Sequence, residues 1–281
     1  MDEQNLDILE RIHGAYYQLT ATEKRVADYV LAQYAQVQFM SITQLADECG
    51  TAEATISRFC RSLKLKGFNA FKIELARHSA PAAHTKEPSE DTLVGRSREI
   101  GYLASDAVRQ TIELVDPNQV EKAVSLIERA PRVMCIGSGG SMLLAQECAH
   151  LFSTVTGKFY AITDAHMQMS SAATMTKEDL IILYSYSGAT TGGIQILEYA
   201  RSCGIQTILV TRYSKSPAAK LADVLLCCGS NESPFQFGST PAKIAQLVIT
   251  DVVFQEYCRR NRAQCEENIQ QVASALSAMH V

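Results

Sequence analysis

The chain has no apolar run near the roughly 20 residues needed to cross a bilayer; its longest, such as 180–184 and 224–228, stop far short. Its opening residues, Met1-Asp2-Glu3-Gln4, are acidic and lack the basic and apolar regions of a signal peptide. Proline and glycine are sparse, at 7 and 15 among 281 residues, which excludes a collagen-like chain. None of the nine cysteines falls in a C-x-x-C pair, so zinc-ribbon and thioredoxin-like motifs are both missing and no metal site is expected. The chain also lacks the Gly-Lys-Ser/Thr of a P-loop and a dinucleotide fingerprint, so no cofactor is expected. What remains is a soluble chain with no membrane contact. Its cysteines, mostly set in apolar or helical patterns, read as small hydrophobes in a reducing cytoplasm. A redox role for the adjacent Cys227 and Cys228 is the lesser alternative.

Apolar residues make up 47% of the chain and charged ones 20%, enough apolar surface to offset the entropy of ordering. The length suggests about two domains. A net charge of −4 argues against general coating of nucleic acid, but the charge is unevenly placed. Residues 1–50 carry three basic and eight acidic groups, net −5, whereas residues 51–78 carry six basic and two acidic, net +4. A basic patch in an acidic chain suits a site-specific DNA reader.

Three regions follow along the chain. Residues 1–77 read as helical, with apolar spacings of three and four, as at Val26, Tyr29, Val30 and Leu45. Residues 78–91 hold two prolines and almost no large apolar side chain, which predicts a linker. From 92 onward, strand-like runs at 133–136, 159–162, 180–184, 207–210 and 224–227 alternate with or precede helical stretches near 142–155, 192–203 and 241–259. That alternation predicts a parallel sheet covered by helices.

In the first region, Ser41-Ile42-Thr43-Gln44 is a capping box, and Gly50 can supply the left-handed residue that ends the helix it opens. Thr51 is expected to cap the next helix, with Glu53 against its positive end. Ile56, Phe59, Cys60 and Leu63 form that helix's inward face. Counted from Ile42, a small Ala46 stands fifth, Gly50 ninth and Ile56 fifteenth: close approach, a turn and a lock, the pattern of a helix-turn-helix. The second helix then offers Glu53, Ser57, Arg58 and Arg61, and an arginine can bridge a guanine edge bidentately. Thr51 and Thr55 complete the expected DNA-facing set, while Lys64, Lys66 and Lys72, around Gly67-Phe68, suit phosphate neutralisation. A plain helical hairpin with a solvated charged face is the bland alternative.

In the last region, Gly137-Ser138-Gly139-Gly140-Ser141 follows a strand and leads into a helical stretch, where amides and hydroxyls can approach an anion. Ser185-Tyr186-Ser187-Gly188-Ala189-Thr190-Thr191 repeats the arrangement after 180–184. Two such loops at the carboxyl edge of one parallel sheet converge where folds of this kind bind ligands. Hydroxyls without a cluster of Lys or Arg favour a phosphorylated small molecule held by neutral donors. The lesser alternative is that Ser187 and Thr190 merely cap a helix.

Ser185-x-Ser187-Gly188-x-Thr190 after a strand, with the Gly137/Ser138/Ser141 loop upstream, resembles the sugar isomerase (SIS) domain. Residues 41–72, above all Thr55-Ile56-Ser57-Arg58-Phe59-Cys60-Arg61 and Lys66-Gly67-Phe68, are similar to the helix-turn-helix of RpiR-type bacterial regulators, which join these two domains in this order. The fold this implies is an all-α helix-turn-helix domain over 1–77, the linker over 78–91, and an α/β SIS domain over 92–281 with a parallel sheet flanked by helices. The resemblance also implies two partners, operator DNA, expected to be palindromic, and a phosphorylated sugar effector. Carried onto this sequence, it makes Ser138, Ser141, Ser185, Ser187 and Thr190 the phosphate-site residues, with Gly137, Gly139 and Gly188 in the same two loops. Glu232 matches the position of an acid/base carboxylate in SIS isomerases, Ser239 is a further contact, and Asp164 and His166 reach toward the sugar. Ala189 departs from the Ser-Gly-Glu-Thr of many relatives, which removes one polar group.

The leading expectation is thus a sugar-phosphate-responsive transcription factor and not an enzyme, with no catalytic residue assigned. The rival is an aldose-ketose phosphate isomerase, or a bifunctional protein, in which His166 and Glu232 shuttle a proton. A non-DNA adaptor with a ligand-binding domain is the third reading. Ile244, Leu247, Val248, Val252 and Phe254 exceed the apolar needs of one sheet edge and predict a homodimer or homotetramer built through residues 92–281.

Overall fold

In the computed structural model, residues 7–79, 92–230, 239–277 and 279 are described. The described residues divide into two compact units, one of those up to Leu103 together with Ser239, the other of 104–230 and those from Thr240 on, so one division falls inside a single helix. The first unit holds α1 (Ile8–Ala15), α2 (Ala21–Val37), α3 (Ile42–Glu48), α4 (Glu53–Ser62) and α5 (Phe68–Ser79), so α5 runs two residues past the expected end at 77. Thr20 and Glu23 form a capping box that opens α2, and Ser41 with Gln44 forms the expected one on α3. Gly50 turns the chain at φ +58°, where an added Cβ would lie 2.4 Å from the Arg25 guanidinium. Ala46 and Ile56 are buried as the helix-turn-helix spacing requires, in one core with Val26, Val30, Leu45, Phe59, Phe71 and Leu75. Phe59 and Phe71 meet edge to face at 5.6 Å, a favoured aromatic geometry.

The second unit begins within α6 (Leu93–Leu114) and continues through α7 (Pro117–Arg129), β1 (Val133–Gly137), α8 (Gly140–Ser153), β2 (Phe159–Ala161) and α9 (Ala165–Ala172). It ends with β3 (Leu180–Tyr184), α10 (Thr191–Cys203), β4 (Gln206–Thr211), β5 (Val224–Cys227), α11 (Thr240–Arg260) and α12 (Arg262–Ser277). The five strands form one parallel sheet in the order β2-β1-β3-β4-β5. Helices cover both faces, which is why β1 and β3 are apolar without alternation and buried at every position. Cys135, Ile182, Tyr184 and Val210 face a core shared with α7, α8 and α11, while Met134, Ile181, Leu183 and Leu209 pack on α9 and α10. At the start of β3, the buried Asp179 carboxylate takes two bonds from Arg132, at 3.0 and 2.6 Å, and so ties β3 to β1. The Arg132 guanidinium holds this carboxyl below its usual range against the opposing push of burial.

The sheet and its strand limits match the expected ones to within two residues, and α6, α7, α9 and α12 are added to the three helical stretches expected there. Six cysteines are buried and no disulfide joins any of the nine; Cys203, the last residue of α10, is exposed.

Candidate functional site

Helix α4 is the second helix of the helix-turn-helix, and it stands with its N-terminus uncapped by any side chain. The expected cap is not Thr51: Ala52 occupies that position, and the Thr51 hydroxyl is buried without a partner. Thr51 instead spends its amide on the Ala46 carbonyl at 2.8 Å, within the turn. Two further members of the expected DNA-facing set point elsewhere. Thr55 is 4% exposed and accepts a bond from Arg58 at 3.2 Å, and Glu53 is half-buried and takes the Thr43 hydroxyl at 2.7 Å. The first bond lies within α4, and the second ties α4 to α3.

What α4 presents outward is Ser57, half-buried, with Arg58 and Arg61, both exposed; Lys64 and Lys66 follow, also exposed. Lys72 serves the fold, its ammonium bonding the Met40 carbonyl at 3.0 Å and lying 5.8 Å from the Phe68 ring. Glu23 of α2, 6% exposed, accepts the Ser62 hydroxyl at the end of α4 at 3.2 Å. Burial pushes its carboxyl up, but bonds from Thr20 and Ser62 and the charge of Arg58 together bring it below the usual range. Arg58 is thus bonded to the Thr55 hydroxyl, and its charge favours the ionised form of Glu23.

The strand order reverses between β1 and β3, the switch point where open α/β sheets bind ligands. Both loops leave from that point, and the pairing of Gly137 with Tyr184 sets them side by side. Gly137 is buried, and a Cβ there would come within 2.8 Å of the Ser141 backbone, so only glycine lets β1 turn this tightly beneath α8. Gly139, at φ +55°, occupies the α8 cap position and brings no side chain to it. Ser138 is exposed and Ser141 half-buried beside it.

In the second loop Ser185 is 4% exposed, its hydroxyl 3.5 Å from that of Thr190. Gly188, at φ +60°, lies so close to Ser216 that a Cβ would fall 2.1 Å from its Oγ, and its carbonyl takes the Ala218 amide at 2.9 Å. The loop is therefore seated on the segment after β4. Ser187 is exposed and accepts the Ala189 amide at 3.2 Å. Thr190 holds the cap position of α10 but makes no capping bond. Asp116 and Asp164 do cap α7 and α9 in the same unit. The two helices that start at the switch point thus keep their first amides free of side-chain caps, as an anion requires. Neither loop contains a charged residue, so neutral hydroxyls and amides make up the donor set.

The remaining expected residues divide. Asp164 caps α9 through the Met167 amide at 2.8 Å, and His166, the second residue of that helix, is exposed. Ser239 is half-buried just before α11. Glu232 lies outside the described residues.

Two glutamines have tasks that the sequence does not signal. Gln168, 4% exposed, donates to the Gly137 carbonyl at 3.0 Å and the Ile162 carbonyl at 2.8 Å, pinning the end of β1 to the chain after β2. Gln246 is buried with its Oε1 unpartnered, one turn before Thr250, whose hydroxyl meets that of Tyr184 at 2.7 Å. An isolated glutamine on a helical pattern looks the same in either place.

The expected apolar excess on α11 is largely consumed by the fold: Val252 and Phe254 pack on the core, and among the five residues only Leu247 is exposed. The exposed apolar surface lies on α6 instead, at residues such as Leu93, Val94, Ile100, Tyr102, Leu103 and Ile112. Among the described residues no helix is long and apolar enough to cross a membrane, and no cluster of side chains could hold a metal ion.

Comparison with known proteins accounts for both units. The family model for the helix-turn-helix domain of the rpiR family matches residues 6–82, and that for the SIS domain matches residues 126–255. An uncharacterised HTH-type transcriptional regulator of Caldanaerobacter subterraneus is 32% identical over 251 residues, 88% of this chain and 89% of that one. The uncharacterised HTH-type regulator YbbH of Bacillus subtilis is 29% identical, covering 96% of this chain and 97% of its own. Among solved structures, the NanR protein of Vibrio vulnificus, complexed with ManNAc-6P, shares the fold at a TM-score of 0.88 and 24% identity, covering 98% of this chain and all of that one.

Proposed function

The chain belongs to the rpiR family of helix-turn-helix transcriptional regulators, and on that ground we propose that its affinity for operator DNA is controlled by a phosphorylated sugar held between residues 137–141 and 185–190. The observation that carries this reading is the pair of adjacent, uncapped helix N-termini at the switch point, ringed by Ser138, Ser141, Ser185, Ser187 and Thr190. ManNAc-6P, the ligand of the Vibrio protein, is the first sugar to try.

DNA is read by Arg58 and Arg61 from α4, with Ser57 beside them and Lys64 and Lys66 on phosphates. The labour divides into a DNA-binding domain over 1–77, a linker over 78–91 and an effector domain over 92–281. The exposed apolar residues of α6 support a homodimer or homotetramer, which matches a palindromic operator by placing two reading helices on two half-sites. The setting is the cytoplasm. The effector is sensed and not turned over, and incubation with aldose and ketose phosphates should show no interconversion.

The test is operator binding with and without a panel of sugar phosphates, for wild type and Ser187→Ala. A matching sugar at 100 times its dissociation constant stabilises the protein by about 2.7 kcal/mol. Loss of one hydroxyl bond to a phosphate costs about 1.5–3 kcal/mol, roughly tenfold or more in effector affinity, and leaves effector-free DNA binding unchanged. A variant that responds at the wild-type effector concentration removes these loops as the site.

A further inference from the structure

The residue between the two serines of the second loop does something the serines do not. Tyr186 sends its hydroxyl to the carbonyl of Ser230 at 2.5 Å, 44 residues away in sequence. Arg212, which follows β4, donates its Nε to the same carbonyl at 3.0 Å and its backbone amide to the Tyr186 carbonyl at 3.0 Å. Ser230 is 4% exposed, so one buried carbonyl gathers two donors, one of them rooted in the serine loop.

Ser230 is also tied in the other direction. Its neighbour Gly229 donates its amide to the Thr111 hydroxyl at 3.1 Å, and that hydroxyl gives its own proton to the Ala107 carbonyl at 2.6 Å. Thr111 is fully buried. A Cβ on Gly229 would fall 2.4 Å from the Gln110 side chain and 2.8 Å from the Thr111 amide, so the segment after β5 lies directly on the backbone of α6. This helix continues without a break across the division after Leu103.

We propose that Tyr186 is a positioning residue that reports occupancy of the serine loop to α6, through the Ser230 carbonyl and the Gly229–Thr111 bond. The inference rests on the reading of residues 185–190 as the effector site. Anion binding to the hydroxyls and amides around Tyr186 fixes its backbone, and the phenol carries that restraint to Ser230. A ligand can bias α6 only through a contact that differs between the two states, and this hydroxyl is a direct side-chain link, among the described residues, from the loop to the segment on α6.

Hydrogen exchange on the full chain tests it, with inorganic phosphate and glucose 6-phosphate as probes, in wild type, Tyr186→Phe and Thr111→Val. In wild type, probe should slow exchange both in residues 185–191 and at Gly229 with residues 108–114, the latter by about fivefold or more, the lower end of ordinary coupling. In Tyr186→Phe the loop should still be protected by probe while Gly229 and α6 are not, at a melting temperature lowered by no more than about 4 °C, as loss of one hydrogen bond predicts. Thr111→Val breaks the same chain at its far end, so probe should protect its loop and leave α6 as unprotected as in Tyr186→Phe. Protection of α6 that survives in Tyr186→Phe, or that is missing from wild type although the loop is protected, overturns the proposal. If neither probe protects the wild-type loop, the effector-site reading fails, and the link to occupancy falls with it.

Discussion

Arg58, proposed above to read a base edge, is already partly engaged within the fold. Its guanidinium already bonds Thr55 at 3.2 Å and feels the buried Glu23, so fewer of its conformers must be frozen on binding. We expect Arg58→Ala to weaken specific operator binding by about 1–3 kcal/mol and to relax one base position. Gel-shift titration against operator and scrambled DNA reads this, and an unchanged specificity ratio would contradict the assignment. Thr55 and Glu53, which sequence alone places among the DNA-facing residues, are engaged within the fold, by Arg58 and by Thr43. A helical wheel assigns them outward because it cannot see that α3 packs across the first turn of α4.

At the scale of elements, α4 ends on an unusual residue: Lys64 adopts φ +59°, the left-handed conformation that glycine holds at lower cost. Strain of this kind persists where the side chain is needed. Lys64→Gly should therefore stabilise the first unit by about 0.5–1 kcal/mol in denaturant titration. The same change should weaken binding to all DNA sequences alike and lower the salt slope by about one. A gain of stability with undiminished DNA affinity would show Lys64 to be a bystander.

The elements legible from sequence are those with one dominant signal. Buried parallel strands announce themselves as apolar runs, and the capping boxes and Gly50 mark the helix-turn-helix. The illegible ones lack such a signal. Helix α6, from Leu93 to Leu114, carries Gly95 and Gly101 inside its length, which weakens a helical reading, and α9, with eight residues, mixes Met, Gln and Ser. In the candidate site, the serines and glycines can be read from two similar loops. Gln168, Tyr186 and Arg212 cannot, since their roles depend on carbonyls brought near by the sheet order.

For the whole molecule, the exposed apolar residues of α6 and the buried carboxylates both have consequences. If α6 carries the proposed homo-oligomer interface, replacing Ile100 and Leu103, 60% and 40% exposed, by Asp should leave a monomer, and sedimentation at micromolar concentration reads the mass. A wild-type chain that already sediments as a monomer would refute an interface there. Glu23 and Asp179 both have carboxyls held below their usual range by the fold. The stability they contribute is fully present above the unfolded carboxylate values of about 4 and is lost as pH falls through the lower folded ones. Calorimetry from about pH 6 down to about pH 3 should show both units melting earlier as acid is added, and Glu23→Gln should flatten the trend for the first unit.

The thiols offer a practical opening of a different kind. Burial pushes Cys60 and Cys228 up to about 12 and Cys49 up to about 11, which keeps them protonated and slow toward electrophiles near neutral pH. Among the cysteines Cys203 alone is exposed, and it closes the helix whose opposite end begins at the serine loop. A maleimide dye added briefly should therefore settle on one place. From there it would report by its brightness what happens at the far end of a helix of 13 residues, without any cysteine having to be engineered in or out.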